Sequence, residues 1–296
     1  MVGVDTAFAG FDPPLELGAF LSQLCGDEDE VTRLPGLSGR GVFRLRTVNG
    51  SVIVKAQVHS NEAQFYTDAA PDVRAAGVSI PALLHLAAAD NGAWLVLEDI
   101  PTPLPRERWL ADEALIGTLY RLHGVQTLAP QTFSTAFSPS WNDELTGRAV
   151  QSVPEAERSW VQTRLCEVQA ECQRWLQPEV PICGDANPKN WGLSSEGTLV
   201  LFDWERFGWG TPALDLATTV PGLGTSADFA LVAQRYLAIS GKASASAEAV
   251  LARAIAAAKV WSAVEFLAAT TEQSGERTQI ADWLGQHLPA WLSAEV

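Results

Sequence analysis

The stretch Cys183-Gly184-Asp185-Ala186-Asn187-Pro188-Lys189-Asn190, followed thirteen residues later by Asp203 inside Leu201-Phe202-Asp203-Trp204-Glu205, sets a carboxylate, an amide and a second carboxylate at fixed spacing. Asp185 is placed to accept the proton of a hydroxyl group. Asn190 offers a neutral amide oxygen and Asp203 a hard carboxylate, donors that suit magnesium, which prefers oxygen ligands and keeps several waters. Turn chemistry also selects Asp, Asn and Pro ahead of a hairpin, because their side chains bond the nearby backbone. The residues on either side of this stretch decide between the two readings.

A chain of 296 residues with 47% hydrophobic content can bury one large core or two lobes. No apolar run reaches membrane-spanning length, and the N-terminal segment lacks the basic start and apolar centre of a secretory signal, so a cytoplasmic protein is expected. Cys25, Cys166, Cys172 and Cys183 show neither metal-type pairing nor the density of a disulfide scaffold. Reduced thiols are expected. With 20 Lys and Arg against 35 Asp and Glu, the formal charge is -15. That charge repels nucleic acid and anionic membrane, and neither is expected as a partner.

Periodicity divides the chain into a β-rich first third and a helical remainder. A helix is expected over 14–24. Alternating segments 41–48 and 51–58 flank Asn49-Gly50, a pair that favours a type I′ hairpin turn. Asn61 then reads as the cap of a short helix that carries Glu62, Phe65 and Tyr66. Two more strands bracket Asp90-Asn91-Gly92, and the second runs from Trp94 to Glu98 into a Pro-rich connector at 101–105 that resembles a hinge. Apolar spacing of three and four predicts helices over 112–123, 154–175 and most of 227–292. Within this helical part only a hairpin at 191–193 and 198–202 is expected. The resulting fold class is α+β, with a small β-rich lobe over 1–100 and a larger, mainly helical lobe over 101–296.

Gly184-Asp185, Asn190, Asp203 and the later run Gly210-Thr211-Pro212-Ala213-Leu214-Asp215-Leu216-Ala217 occur in this order and spacing, with Leu119-Tyr120-Arg121-Leu122-His123 upstream. In these features the chain resembles the aminoglycoside phosphotransferase and choline kinase family, relatives of protein kinases with the same two-lobed fold, over roughly residues 31–270. The resemblance implies an ATP- and Mg2+-dependent kinase that transfers a phosphoryl group to a hydroxyl of a small-molecule acceptor. Such transfer needs positioning and charge neutralisation more than covalent help. Asp185 is then the catalytic base, and Asn190 and Asp203 are the metal ligands. Lys55 pairs with the α and β phosphates and Glu62 holds it, the alternative being a solvated Lys at the end of an apolar strand. Ser38 and Gly39, within Gly36-Leu37-Ser38-Gly39-Arg40-Gly41, cradle phosphate oxygens through their backbone N–H groups. Backbone groups from Glu98 to Ile100 meet the adenine edge, while Ile53 and Leu97 line its faces or are plain core.

Two departures from the family pattern stand out. Cys183 replaces the usual His ahead of Gly-Asp, which puts the rigidity of the loop in question, and Lys189 replaces a small or neutral residue. Cys183 is expected to fill space, Asp215 to brace the catalytic loop, and His123 to be a capping or core residue. A nucleotide-binding pseudokinase without turnover is the alternative class. The acceptor is expected to be aminoglycoside-like or otherwise amino- or polyhydroxylated, with a neutral sugar as the alternative. Asp143, Glu144, Glu205, Glu265 and Glu272 supply the local acidity for a cationic acceptor.

Overall fold

The computed structural model describes residues 8, 10–24, 30–35, 41–47, 50–89, 92–133, 135–241, 243–270 and 275–296. Helix α1 (Leu15–Leu24) precedes an antiparallel sheet of β1 (Val31–Arg33), β2 (Gly41–Thr47), β3 (Gly50–Val58), β4 (Leu83–Ala89) and β5 (Gly92–Glu98), in the order β1-β2-β3-β5-β4. The two faces follow from the period of two in a strand. Val52, Val54 and Ala56 of β3 and Trp94 and Val96 of β5 pack beneath Leu17 and Leu21 of α1, with Phe8 edge-on to Trp94. Ile53, Leu95 and Leu97 point the other way, into the larger core. Lys55 shares their parity, so it is presented toward the rest of the molecule. Asn49, Asp90 and Asn91, expected at the two hairpin turns, lie outside the described residues.

Between β3 and β4 the chain forms α2 (Ser60–Gln64), a π-helical turn (Phe65–Ala69) and α3 (Ala70–Ala75). The expected cap at Asn61 is corrected here. His59 is the N-cap residue, and Asn61 lies inside α2 with its side chain buried. His59 holds the extended backbone of a cap residue, with φ -60 and ψ 146 and no side-chain cap bond, so the helix begins two residues earlier than the sequence suggests. The Phe65 ring stacks on Trp204 at a centroid separation of 4.1 Å and 6° between planes, a contact worth about 0.5–1.5 kcal/mol beyond area burial. It ties this helical segment to the chain just past Asp203.

The connector, expected to resemble a hinge, contains a short strand. Thr102–Pro103 forms β6, which pairs with β8 (Trp191–Leu193), itself paired with β9 (Leu199–Leu201). Proline at an edge strand is tolerated because its missing N–H faces outward. A second pair, β7 (Val180–Ile182) with β10 (Gly208–Gly210), was not expected, since three-residue strands holding Pro181 and two glycines carry no alternating pattern. The helices of the larger lobe are α4 (Glu113–His123), α5 (Asp143–Gln151), α6 (Arg158–Cys172), α7 (Pro212–Thr219), α8 (Ser226–Ser240), α9 (Ala245–Ala269) and α10 (Glu276–Glu295). Side-chain caps start several of them: Asp112 accepts from Leu115 N at 3.0 Å, and Thr225 and Asp228 form a reciprocal capping box. Helices α5 and α7 escaped the periodicity scan, being only nine and eight residues long. Helix α9 is buried on nearly every side along its second half, as a central helix of a large core must be. No helix among the described residues is long and apolar enough to cross a membrane.

Candidate active site

Strand β7, held by β10, delivers the backbone of Cys183 and Gly184 directly onto Asp215 in the first turn of α7. Cys183 N donates to Asp215 Oδ2 at 2.9 Å and Gly184 N donates to Oδ1 at 2.8 Å. Asp215 is completely buried. His123, at the end of α4, places Nε2 3.1 Å from Asp215 Oδ2 and Nδ1 2.9 Å from the Tyr236 hydroxyl. A carboxylate only accepts, so Nε2–H is the donor and the Tyr236 hydroxyl completes the other ring nitrogen. An imidazole thus reaches the loop's brace from a different helix, although Cys183 occupies the position of the usual His. Gly184 has φ +79 and its α-carbon lies against the Arg206 carbonyl, so no side chain fits there. The Cys183 thiol is fully buried, and burial, aided by the Asp215 charge, pushes its pKa well up. It remains a thiol and fills space.

Past Gly184 the loop closes on itself. Asp185 Oδ1 accepts from Asn187 Nδ2 at 2.9 Å and Oδ2 accepts from Asn190 Nδ2 at 3.1 Å. Burial raises the Asp185 pKa above the ordinary carboxylate value; the bond from Asn187 works against that and the Asp203 charge adds to it. With its amide nitrogen turned to Asp185, Asn190 keeps its amide oxygen for a cation. Phe202 N donates to Asn190 O at 3.0 Å, which sets Asp203 beside the loop. Asp203 adopts φ +66. A non-glycine residue in that region stores on the order of 1–3 kcal/mol and persists where its surroundings over-determine it.

The surroundings in question are visible. Lys55 Nζ lies 2.8 Å from Asp203 Oδ1 and 2.6 Å from Glu62 Oε1. Burial disfavours the Lys55 ammonium, but the carboxylates of Asp203 and Glu62 outweigh it and hold the pKa above the ordinary lysine value. Asn61 adds a clamp that the sequence did not announce: its Nδ2 donates to Glu205 O and Phe207 O, both at 2.9 Å. The signal was its position beside Glu62, where a capping role explained the residue equally well.

A cleft of about 730 Å³ is lined by Ile53, Lys55, Leu97, Glu98, Ile100, Asp185, Asn190, Asp203 and Glu205 together. Glu98 is partly committed, its backbone N donating to Ala82 O at 2.9 Å and its carboxylate accepting from Ala82 N at 3.1 Å. Lys189 reaches the cleft rim with Nζ 3.8 Å from Glu276, both exposed. Other expected residues do not join. Glu265 is ion-paired to Arg206 and is not part of the cleft wall, and Asp143 and Glu144 sit at the start of α5 away from it. Ser38, Gly39 and Glu272 lie outside the described residues.

A family model described as "Phosphotransferase enzyme family" matches residues 30–252, the stretch that holds this site. The chain belongs to this family. Among curated proteins, none matches at the sequence level. Solved structures do. Aminoglycoside-3'-phosphotransferase of type VIII is 24% identical, with 82% of this chain and 97% of that chain covered at a TM-score of 0.51. Choline kinase LicA from Streptococcus pneumoniae is 17% identical, with 93% and 96% covered and a TM-score of 0.60. Spectinomycin phosphotransferase APH(9)-Ia, in complex with ADP and spectinomycin, is 12% identical, with 92% and 94% covered and a TM-score of 0.59. At these identities the likeness is one of fold, and the fold is the two-lobed, protein-kinase-like one: an antiparallel sheet in the small lobe and a mainly helical large lobe.

Proposed function

We propose that the protein is an ATP-dependent O-phosphotransferase that uses magnesium to move the γ-phosphoryl group onto a hydroxyl of a small-molecule acceptor. The observation that carries this is Lys55, held at 2.6 Å from Glu62 and 2.8 Å from Asp203 in the same cleft as Asp185 and Asn190. The donors present fit the metal: an amide oxygen and a carboxylate, both hard, on segments joined by the bond from Phe202 to Asn190. Held by Asn190 and Asp203, magnesium would neutralise charge across the β and γ phosphates. Lys55 would contact the α and β phosphates, with Ile53 and Leu97 against the adenine faces and the Glu98–Ile100 backbone at its edge. Ser38 and Gly39 would cover the phosphates. ADP bound to the spectinomycin phosphotransferase supports the nucleotide part of this assignment.

Asp185 would take the proton of the acceptor hydroxyl as that oxygen bonds to the γ-phosphorus and the bond to the bridging oxygen of ADP breaks. The amides of Asn187 and Asn190 aim its carboxylate, and its raised pKa makes it a better proton acceptor than an ordinary aspartate. Asp215 would keep the loop in register through the backbone of residues 183 and 184. Because that brace is intact with Cys183 in place, the substitution gives little support to an inactive pseudokinase. The free thiols of Cys166, Cys172 and Cys183 accord with a reducing, cytoplasmic setting. The acceptor would be a hydroxylated small molecule. Of the acidic residues expected to favour a cationic, aminoglycoside-like one, only Glu205 lines the cleft among the described residues.

The test is a thermal-shift titration with ATP and magnesium, followed by ADP release across a panel of hydroxylated compounds. The expected result is a magnesium-dependent shift and acceptor-stimulated ADP release. A shift without release for any acceptor would establish the pseudokinase alternative instead.

A further inference from the structure

Lys259 is a buried cation that the phosphotransferase site does not use. It lies on α9, is 8% exposed and lines the same cleft as Asp185. Its ammonium donates to Ala217 O at 3.1 Å and to Val220 O at 2.6 Å, carbonyls at the end of α7. An ammonium carries three donors, so one remains. Lys259 makes no ion pair with a carboxylate among the described residues. Buried charges in folded proteins are paired or hydrogen-bonded throughout, because removing an ion from water costs several kcal/mol. Two carbonyl bonds at a helix C-terminus offset part of that cost. Burial still pulls the Lys259 pKa down to about 8, with Asp185 the charged group that opposes the fall.

The cleft wall beyond this ammonium carries a run of apolar side chains, with Ser262 and Glu205 also on the wall and Lys189 and Glu276 at the rim. Leu223 follows α7, Ala263 and Phe266 stand on α9, and Ile280 and Trp283 on α10. Trp283 is 44% exposed, a large aromatic left open at the mouth of the cleft. A buried ammonium with a spare donor beside such an apolar run recognises an apolar body with one anionic oxygen group. We infer that the acceptor is a small, apolar-bodied alcohol bearing a carboxylate, which the Lys259 ammonium receives while the hydroxyl faces Asp185. A single spare N–H matches one carboxylate oxygen. A dianionic group is disfavoured by the nearby Asp185 and by the chain's charge of -15.

The inference rests on the phosphotransferase assignment, and its test separates the two. Binding of 4-(hydroxymethyl)benzoate and 8-hydroxyoctanoate is compared with that of their methyl esters by calorimetry, in the presence of ADP and magnesium, for the wild type, Lys259→Met and Lys259→Gln. The acids are expected to bind the wild type at least about tenfold more tightly than the esters, and both variants are expected to lose that preference while ester binding is retained. Equal binding of acid and ester to the wild type, or a preference that survives in a folded variant, would overturn the inference. Loss of ATP affinity rather than acid affinity in the variants would also overturn it, since Lys259 would then be a phosphate contact. Failure of the phosphotransferase assignment has a separate signature: no magnesium-dependent ATP shift in the wild type, whatever the acids do.

Discussion

Replacing Asp215 with asparagine tests the brace under the catalytic loop. The carboxylate is completely buried and serves three groups: Gly184 N at 2.8 Å on one oxygen, and Cys183 N at 2.9 Å with His123 Nε2 at 3.1 Å on the other. Asparagine supplies one oxygen and one amide nitrogen, so in either orientation a donor confronts a donor. The cheaper orientation turns the nitrogen toward Gly184. It leaves that backbone N–H and the new amide group buried without acceptors, at about 1–3 kcal/mol each. The sum, about 2–6 kcal/mol, brackets the roughly 3–5 kcal/mol typical of breaking a buried pair by altering one partner. At about 2–4 °C per kcal/mol for a chain of this class, a loss of about 3–5 kcal/mol should lower the midpoint of thermal unfolding by about 6–20 °C. A shift of the Asp185 carboxylate by about 1 Å costs on the order of a hundredfold in turnover. Nucleotide affinity should largely persist, because Lys55, Glu62 and Asp203 do not touch Asp215. Differential scanning calorimetry with ATP-binding and ADP-release assays reads all three quantities. His123→Ala, which removes one bond of the three, should destabilise less. An unchanged midpoint together with unchanged turnover in Asp215→Asn would refute the bracing argument.

Asp185→Asn should lower kcat at least about a hundredfold with ATP affinity nearly unchanged, and in the wild type the acid limb of kcat/KM should lie above the ordinary carboxylate range, with activity falling as pH drops through the raised pKa. An equal loss of binding and turnover would make the residue structural. Asp203→Ala should abolish magnesium-supported nucleotide binding, and an unaltered magnesium titration would end its assignment as a ligand. Lys259 is held from 10.5 down to about 8 by burial, so across that window the unfolded chain binds more protons and stability rises with pH. Relative to Lys259→Met, the wild type should gain roughly 3 kcal/mol in urea unfolding between pH 8 and 10.5, whereas parallel curves would contradict the depressed pKa.

The parts of the fold that could be read in advance carry local signals. The β2–β3 pair alternates at period two, the β4–β5 pair consists of apolar runs on either side of Asp90-Asn91-Gly92, α4 has a capping Asp112, and the Asp185-to-Asp203 spacing survives because a loop and one short hairpin connect them. What escaped reading depends on tertiary partners. Strands β7 and β10 owe their existence to each other, since neither Val180–Ile182 nor Gly208–Gly210 has a pattern of its own. Asn61 looked like a cap because its composition cue is the same whether the amide meets its own helix or, as here, the carbonyls of residues 144 and 146 positions away. Lys259 sits in an alanine-rich helix with no neighbouring charge in sequence. Only the approach of the Ala217 and Val220 carbonyls marks it.

The same contrast governs the acceptor. A formal charge of -15 suggests a field that draws in cations, but exposed charges are screened beyond about 8 Å at physiological ionic strength, so groups at the cleft wall decide what binds there. At the nucleotide end, Glu62, Asp203 and Asp185 outnumber Lys55, an excess of negative charge that a divalent cation would offset. At the other end, Lys259 has only carbonyl partners, and by the inference above its ammonium is the charge that an acceptor meets. A polycationic acceptor bound against Asp185 would bring its charge up to that buried ammonium, where repulsion is stronger than in water. The same Lys259 would attract a carboxylate. By that inference the acidity of the surface and the chemistry of the acceptor pocket are separate properties of this chain, and the sign of the buried charge is the one that bears on specificity.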